Sequence, residues 1–120
     1  MTNNISILDQ FGEDFIKNVR DRVLGIHNKL KKNEMKSHSD IELSKKINSL
    51  NEKQKEILDE VVIETVDRIL FNFLNFIEQD CQIIYEDKNI NKLTDGLAGE
   101  LYSDDGWIKK YSKFESSEKD

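Results

Sequence analysis

Apolar residues recur at spacings of three and four from Leu8 through Phe11, Phe15, Val19, Val23 and Ile26 to Leu30. At about 100° per residue they share one face, which predicts a long first helix with that face turned inward. Ser6 and Asp9 form a loosened capping box, and Lys29, Lys31 and Lys32 stand where the negative end of the macrodipole favours cations. Gly12 falls on the apolar face and is expected to let another backbone come close.

The stretch "NEMKSHSD", residues 33–40, has no period and ends in Ser39 and Asp40, both good N-cap residues before a short second helix over "IELSKKINSL". Helical patterning restarts at "SLNEKQKEIL", where Ser49 with Glu52, or Asn51 with Gln54, has capping-box spacing. The third helix should run from about residue 52 to at least 80. Its apolar positions Ile57, Leu58, Val61, Val62, Val66, Ile69, Leu70, Phe73, Phe76 and Ile77 cover well over 100° of circumference, so packing on more than one side is expected.

Beyond it "CQIIYED" is either more helix or a short strand, and "KNINKLTDG" is a break. Thr94 or Asp95 can then cap a short helix around "GLAGELY", and Ser103, Asp104 or Asp105 a last one, on which Trp107, Ile108, Tyr111 and Phe114 share a face. The polar "ESSEKD" at residues 115–120 reads as a disordered tail. The expected architecture is all-α: one domain over 1–120, a small helical bundle of two long helices packed near antiparallel, with two or three short helices closing the open sides.

Composition narrows the function classes. Of 120 residues 35% are charged and 37% hydrophobic, so a modest core and a wet surface are expected. The net charge of −6 argues against nucleic acid as the main partner, because binding to phosphate backbones depends on clustered Lys and Arg. Basic residues do cluster at Lys29, Lys31, Lys32 and Lys36, and at Lys109, Lys110 and Lys113, but the first group is explained by the helix terminus. The N-terminal "MTNNISILDQF" carries no basic or apolar targeting pattern, and nowhere do about 18 uncharged apolar residues follow one another. The chain is therefore expected to be cytoplasmic, with no membrane partner. Lone Cys81, beside Ile83 and Ile84, reads as a small core residue, and His27 as a partly buried packing residue.

The candidate chemistry is thin. From Asp87, the residues Asp87, Asn89, Asn91 and Asp95 fall at calcium-loop positions, but Lys92 holds the glycine position and Ala98 replaces the bidentate Glu, which leaves an Asn-rich turn. Asp104, Asp105 and Gly106 lack a phosphate cradle and serve better as caps. No cofactor and no catalytic set is expected. On the third helix Glu56, Glu60, Glu64 and Asp67 project along one stripe, with Phe71 and Glu78 in the same sector. An acidic ladder with an embedded aromatic suits a protein partner with a basic surface, to which Trp107 and Tyr111 could contribute at one end.

The leading expectation is thus a small acidic binding module that masks a basic surface, similar in class to bacterial immunity proteins and antitoxins. An alternative rests on "ETVD", whose Glu64 and Asp67 resemble the E-x-x-D half of the all-helical nucleoside triphosphate pyrophosphatases. That resemblance implies a magnesium-dependent enzyme, although the partnering E-E-x-x-E pattern is missing from "GEDFIKN", so the family's active site is not carried over. By spacing alone, Asp9 and Glu13 on the first helix, facing Glu64 and Asp67, could hold magnesium against a nucleotide pyrophosphate. A second alternative is a structural or accessory subunit of an oligomer, joined through an apolar patch.

Overall fold

The computed structural model describes residues 6–114, which are all-α apart from one two-residue hairpin. The expected tail at 115–120 lies outside the described residues. Ser6 caps the first helix by accepting from the Asp9 N–H. From there α1 (Ile7–Phe15) passes through a π-helical turn (Ile16–Arg20) into α2 (Asp21–Lys31). A π turn widens the helix and rotates everything beyond it, and nothing in hydrophobic periodicity announces it. The buried stripe is accordingly Gly12, Ile16, Arg20 and Leu24, while Val19, Val23 and Ile26 stay exposed. This corrects the expectation that those three face inward.

Asn33 adopts the left-handed conformation just past α2, with φ of 59°. Ser37, rather than Ser39 or Asp40, then caps α3 (His38–Asn48) by accepting from the Asp40 N–H. The 29-residue α4 (Glu52–Asp80) opens on a reciprocal capping box between Asn51 and Gln54. Its far end is closed by one side chain. The Asn91 amide donates to the carbonyls of Ile77 and Cys81, and its oxygen accepts from the Ile83 N–H. Cys81 therefore sits exposed at the helix end, not in the core.

The ambiguous "CQIIYED" supplies a strand. In the hairpin β1 (Ile84–Tyr85) pairs antiparallel with β2 (Lys88–Asn89). Glu86 and Asp87 between them both take positive φ, 51° and 64°, as the tight hairpin turn requires. Two 3-10 turns, Ile90–Leu93 and Ala98–Leu101, lead to α5 (Trp107–Tyr111). Neither Thr94 nor Asp95 caps the second of these turns. Its Ala98 N–H goes to the Glu78 carboxylate on α4. Nor do Ser103, Asp104 or Asp105 cap α5: the N-cap is Gly106, where a Cβ would lie 2.7 Å from the Leu101 and Ser103 carbonyl oxygens.

The first rod and α4 run antiparallel, since Phe15 stacks on Phe73, Arg20 pairs with Asp67, and His27 pairs with Asp59. The segment from Ile90 to Ile108 folds over one flank of this hairpin. Ile16, Leu70, Leu74, Ile90, Leu97, Leu101, Trp107 and Ile108 make the core. Trp107 is its largest member, met edge-on by Phe11 at 5.7 Å. Gly12 is where the indole lies: a Cβ there would be 2.3 Å from the ring, so this glycine admits a side chain rather than a backbone. No described helix is long and apolar enough to cross a membrane.

Candidate functional site

The structure distributes the expected acidic stripe among unrelated tasks. Glu56 and Glu60 are exposed, and Glu64 is paired with Arg68 one turn on along α4. Asp67 is not on the surface at all: it is 0% exposed and ion-paired with Arg20. Phe71 keeps partial exposure but tilts against the Tyr102 ring at 6.1 Å. Glu78 fastens the Ala98 turn to α4. At the supposed end of the surface, Trp107 is buried, and Tyr111 is half-buried with the Lys110 ammonium 5.2 Å from its ring. Glu56, Glu60 and Phe71 stay exposed on that edge, as do Glu64 and Glu78 despite their contacts.

Arg20 is the residue that hydrophobic patterning misses. Its guanidinium grips Asp67 through Nε at 2.6 Å and Nη2 at 3.2 Å, the bidentate fork that planar Arg makes with a carboxylate. Nη1 donates to the Ser112 hydroxyl at 2.7 Å and to the Phe114 carbonyl at 3.2 Å. Ser112 in turn donates to Asp21 at 2.5 Å, and Asp21 also accepts from the Lys113 N–H. The Tyr102 hydroxyl reaches the Asp67 carbonyl at 3.3 Å. This is a structural lock that fastens residues 112–114 across both long helices. A charge on the inward side of an apolar rod is readable as a clue only when an opposite charge holds the same place on the facing rod.

The four carboxylates expected to share a metal each meet a different cation. Asp9 lies 3.6 Å from Lys110, Glu13 lies 2.6 Å from Lys17, Glu64 meets Arg68, and Asp67 meets Arg20. The Glu13 carboxylate, as hydrogen-bond partner and as charge, raises the Lys17 ammonium pKa above its ordinary value. Among the described residues no group of three or more His, Cys, Asp or Glu is placed to hold a metal ion. The Asn-rich turn is likewise spent on closing α4.

Two further polar contacts tie the ends of the hairpin. Asp59 on α4 meets His27 at 2.8 Å and Lys31 at 2.9 Å, both from α2. Burial pushes its carboxyl up, but the hydrogen bonds from His27 and Lys31 outweigh this and hold its pKa below the usual carboxylate value. His27 is thus half-buried as expected, with a carboxylate partner. At the other end the Tyr85 hydroxyl donates to Asp14 at 2.5 Å, which pushes the phenol up to about 12.

The flank of α4 turned away from Trp107 is the least expected surface. Ile69 is 62% exposed, Val61 55% and Phe76 54%, with Ile57 and Phe73 close behind. Leu74, outside the apolar set singled out by periodicity, is fully buried instead. The third helix is therefore packed along one side rather than several. Phe15 stacks on Phe73, so the exposed row of Val19, Val23 and Ile26 that continues from Phe15 borders this same flank. A shallow open depression of about 490 Å³ lies on it, lined by Thr65, Arg68, Ile69, Asn72 and Phe73. No family model matches the chain, and comparison with curated proteins and with solved structures finds no match.

Proposed function

We propose that this chain is a protein-interaction module that works in the cytoplasm and docks through the open apolar flank of α4 and the adjoining row on α1 and α2. One observation carries the reading: large aliphatic and aromatic side chains stay 47–62% exposed in a row along α4, on a helix whose opposite flank is buried. Scattered apolar residues on a surface need no explanation, but contiguous ones mark contact sites. This is the contact expected of an oligomer subunit rather than of the acidic ladder. Carbene footprinting, which favours apolar surface, tests it on the isolated chain at high dilution. Labelling should concentrate on Ile69, Phe73 and Phe76. If these label no more than Ile16 or Leu74, the chain covers its own flank and the reading fails.

A second reading, masking of a basic partner in the manner of immunity proteins and antitoxins, is favoured by exposed Glu56 and Glu60 beside Phe71, and by the net charge of −6. It would use the opposite edge of α4 and steer association electrostatically.

A further inference from the structure

We propose that the occupant of the open flank is a second copy of this chain, with α4 packed antiparallel against α4 of that copy about a two-fold axis level with residue 67. This rests on the interaction reading above and names its partner.

The spacing of the exposed row is nearly self-complementary. Thr65 and Ile69 lie two residues either side of position 67, Val61 and Phe73 lie six either side, and Ile57 and Phe76 lie ten before and nine after. A two-fold contact is isologous: the same patch meets itself, so each residue a given distance before the axis faces the one that distance after it. Val61 then comes level with Phe73, Thr65 with Ile69, and Ile57 within one residue of Phe76, which brings β-branched side chains to the same levels as aromatic or aliphatic ones throughout. Asp67 itself points the other way, into its pair with Arg20.

Charge supports the same geometry. Glu64 and Arg68 border the row on one edge, with side chains 51% and 74% exposed. An antiparallel two-fold brings that edge against itself, so Arg68 of each copy comes level with position 66 of the other, two residues or about 3 Å along the axis from its Glu64, close enough for the two local pairs to alternate in sign across the contact. A parallel arrangement would instead face Glu64 with Glu64. The contact is neutral overall, which matters for a chain of net charge −6, because the excess acids Glu56, Glu60 and Glu78 sit further round the helix.

Area discriminates as well. A standard specific interface buries about 800 Å² per partner, and 29 helical residues make a strip about 43 Å long and about 10 Å wide, roughly half of that. The neighbouring row of Phe15, Val19, Val23 and Ile26, about 18 Å long, adds roughly 180 Å² and brings the face nearer to that size. Two such two-helix layers in contact bury both rows in one shared core, the arrangement of a four-helix bundle.

The test is sedimentation of the full chain over a dilution series, with footprinting at each concentration. The wild type should be a dimer at micromolar concentration, with Ile69 and Phe73 protected there and labelled on dilution. Ile69→Glu alters a solvent-facing position, so circular dichroism should stay native while dimerisation weakens by about a hundredfold or more, because a carboxylate would be buried unpaired. Glu64→Arg and Arg68→Glu should each weaken the dimer, and together restore it. A chain that stays monomeric at hundreds of micromolar while its flank is labelled would overturn the second-copy proposal and leave the docking face standing. A dimer indifferent to Ile69→Glu would overturn it too. A monomer with an unlabelled flank would remove both readings.

Discussion

The two flanks of α4 carry similar side chains and meet opposite fates. On one, Leu70 and Leu74 disappear beneath the segment from Ile90 to Ile108; on the other, Ile69 and Phe73, each one position earlier, stand in solvent. A shift of 100° around one helix decides between them. The hydrophobic effect is non-directional, so the α4 sequence alone does not choose which flank is covered. The choice is made by what else the chain offers: an indole shaped to Gly12, an amide at Asn91 that turns the chain back at the helix end, and an Arg20–Asp67 pair that fixes how the two rods face.

The largest effect should come from breaking that pair. Asp67→Ala leaves a guanidinium buried without its counter-charge, which costs about 3–5 kcal/mol, so urea denaturation should find the variant largely unfolded or shifted to a far lower midpoint. Replacing Arg20 and Asp67 together with Met and Leu should recover much of that loss. A mild effect of Asp67→Ala alone would mean the covered flank does not depend on the lock.

Next comes Gly12→Ala. One methyl group placed 2.3 Å from the Trp107 ring forces the indole or the rod to shift, an overpacking cost of about 1–3 kcal/mol. Thermal denaturation reads it, and Trp107 fluorescence should report a wetter indole. Gly25, with open space where its Cβ would stand, should gain slightly from the same change and serves as the control.

The smallest effect belongs to the far end of the hairpin, where Asp59 joins α2 to α4. Its folded pKa lies below the unfolded value of about 3.9, so its stabilisation is fully present above that value and is lost as pH falls through the folded pKa. Asp59→Asn should therefore lower the melting temperature at pH 7 and make little difference at pH 2. Equal losses at both pH values would show that packing, rather than charge, holds that end.

Much of the scaffold is legible in the amino-acid sequence because its signals are local. The start of α4 is written in Asn51 and Gln54, and its length in unbroken helical periodicity. Two long helices with short companions follow from the same reasoning. The candidate site is legible only in part, because its determinants are not local. Glu64 and Arg68 could be paired from their spacing, but Arg20 and Asp67 look like ordinary surface charges until the rods are laid side by side. The π turn moved Val19, Val23 and Ile26 from the expected interior to the outside, and no residue type marks it. In the sequence the exposed row on α4 looks like a second buried side, because composition reports how much apolar surface a helix has, not whether the chain has enough material left to cover it.

The fit of Trp107 against Gly12 also constrains how this chain can diverge. Each position resists a change alone, since a side chain at 12 crowds the indole at 107, and a smaller residue at 107 leaves a void beside position 12. Descendants should therefore keep both or replace both, and that paired inheritance would be visible in an alignment long before either residue stood out by itself.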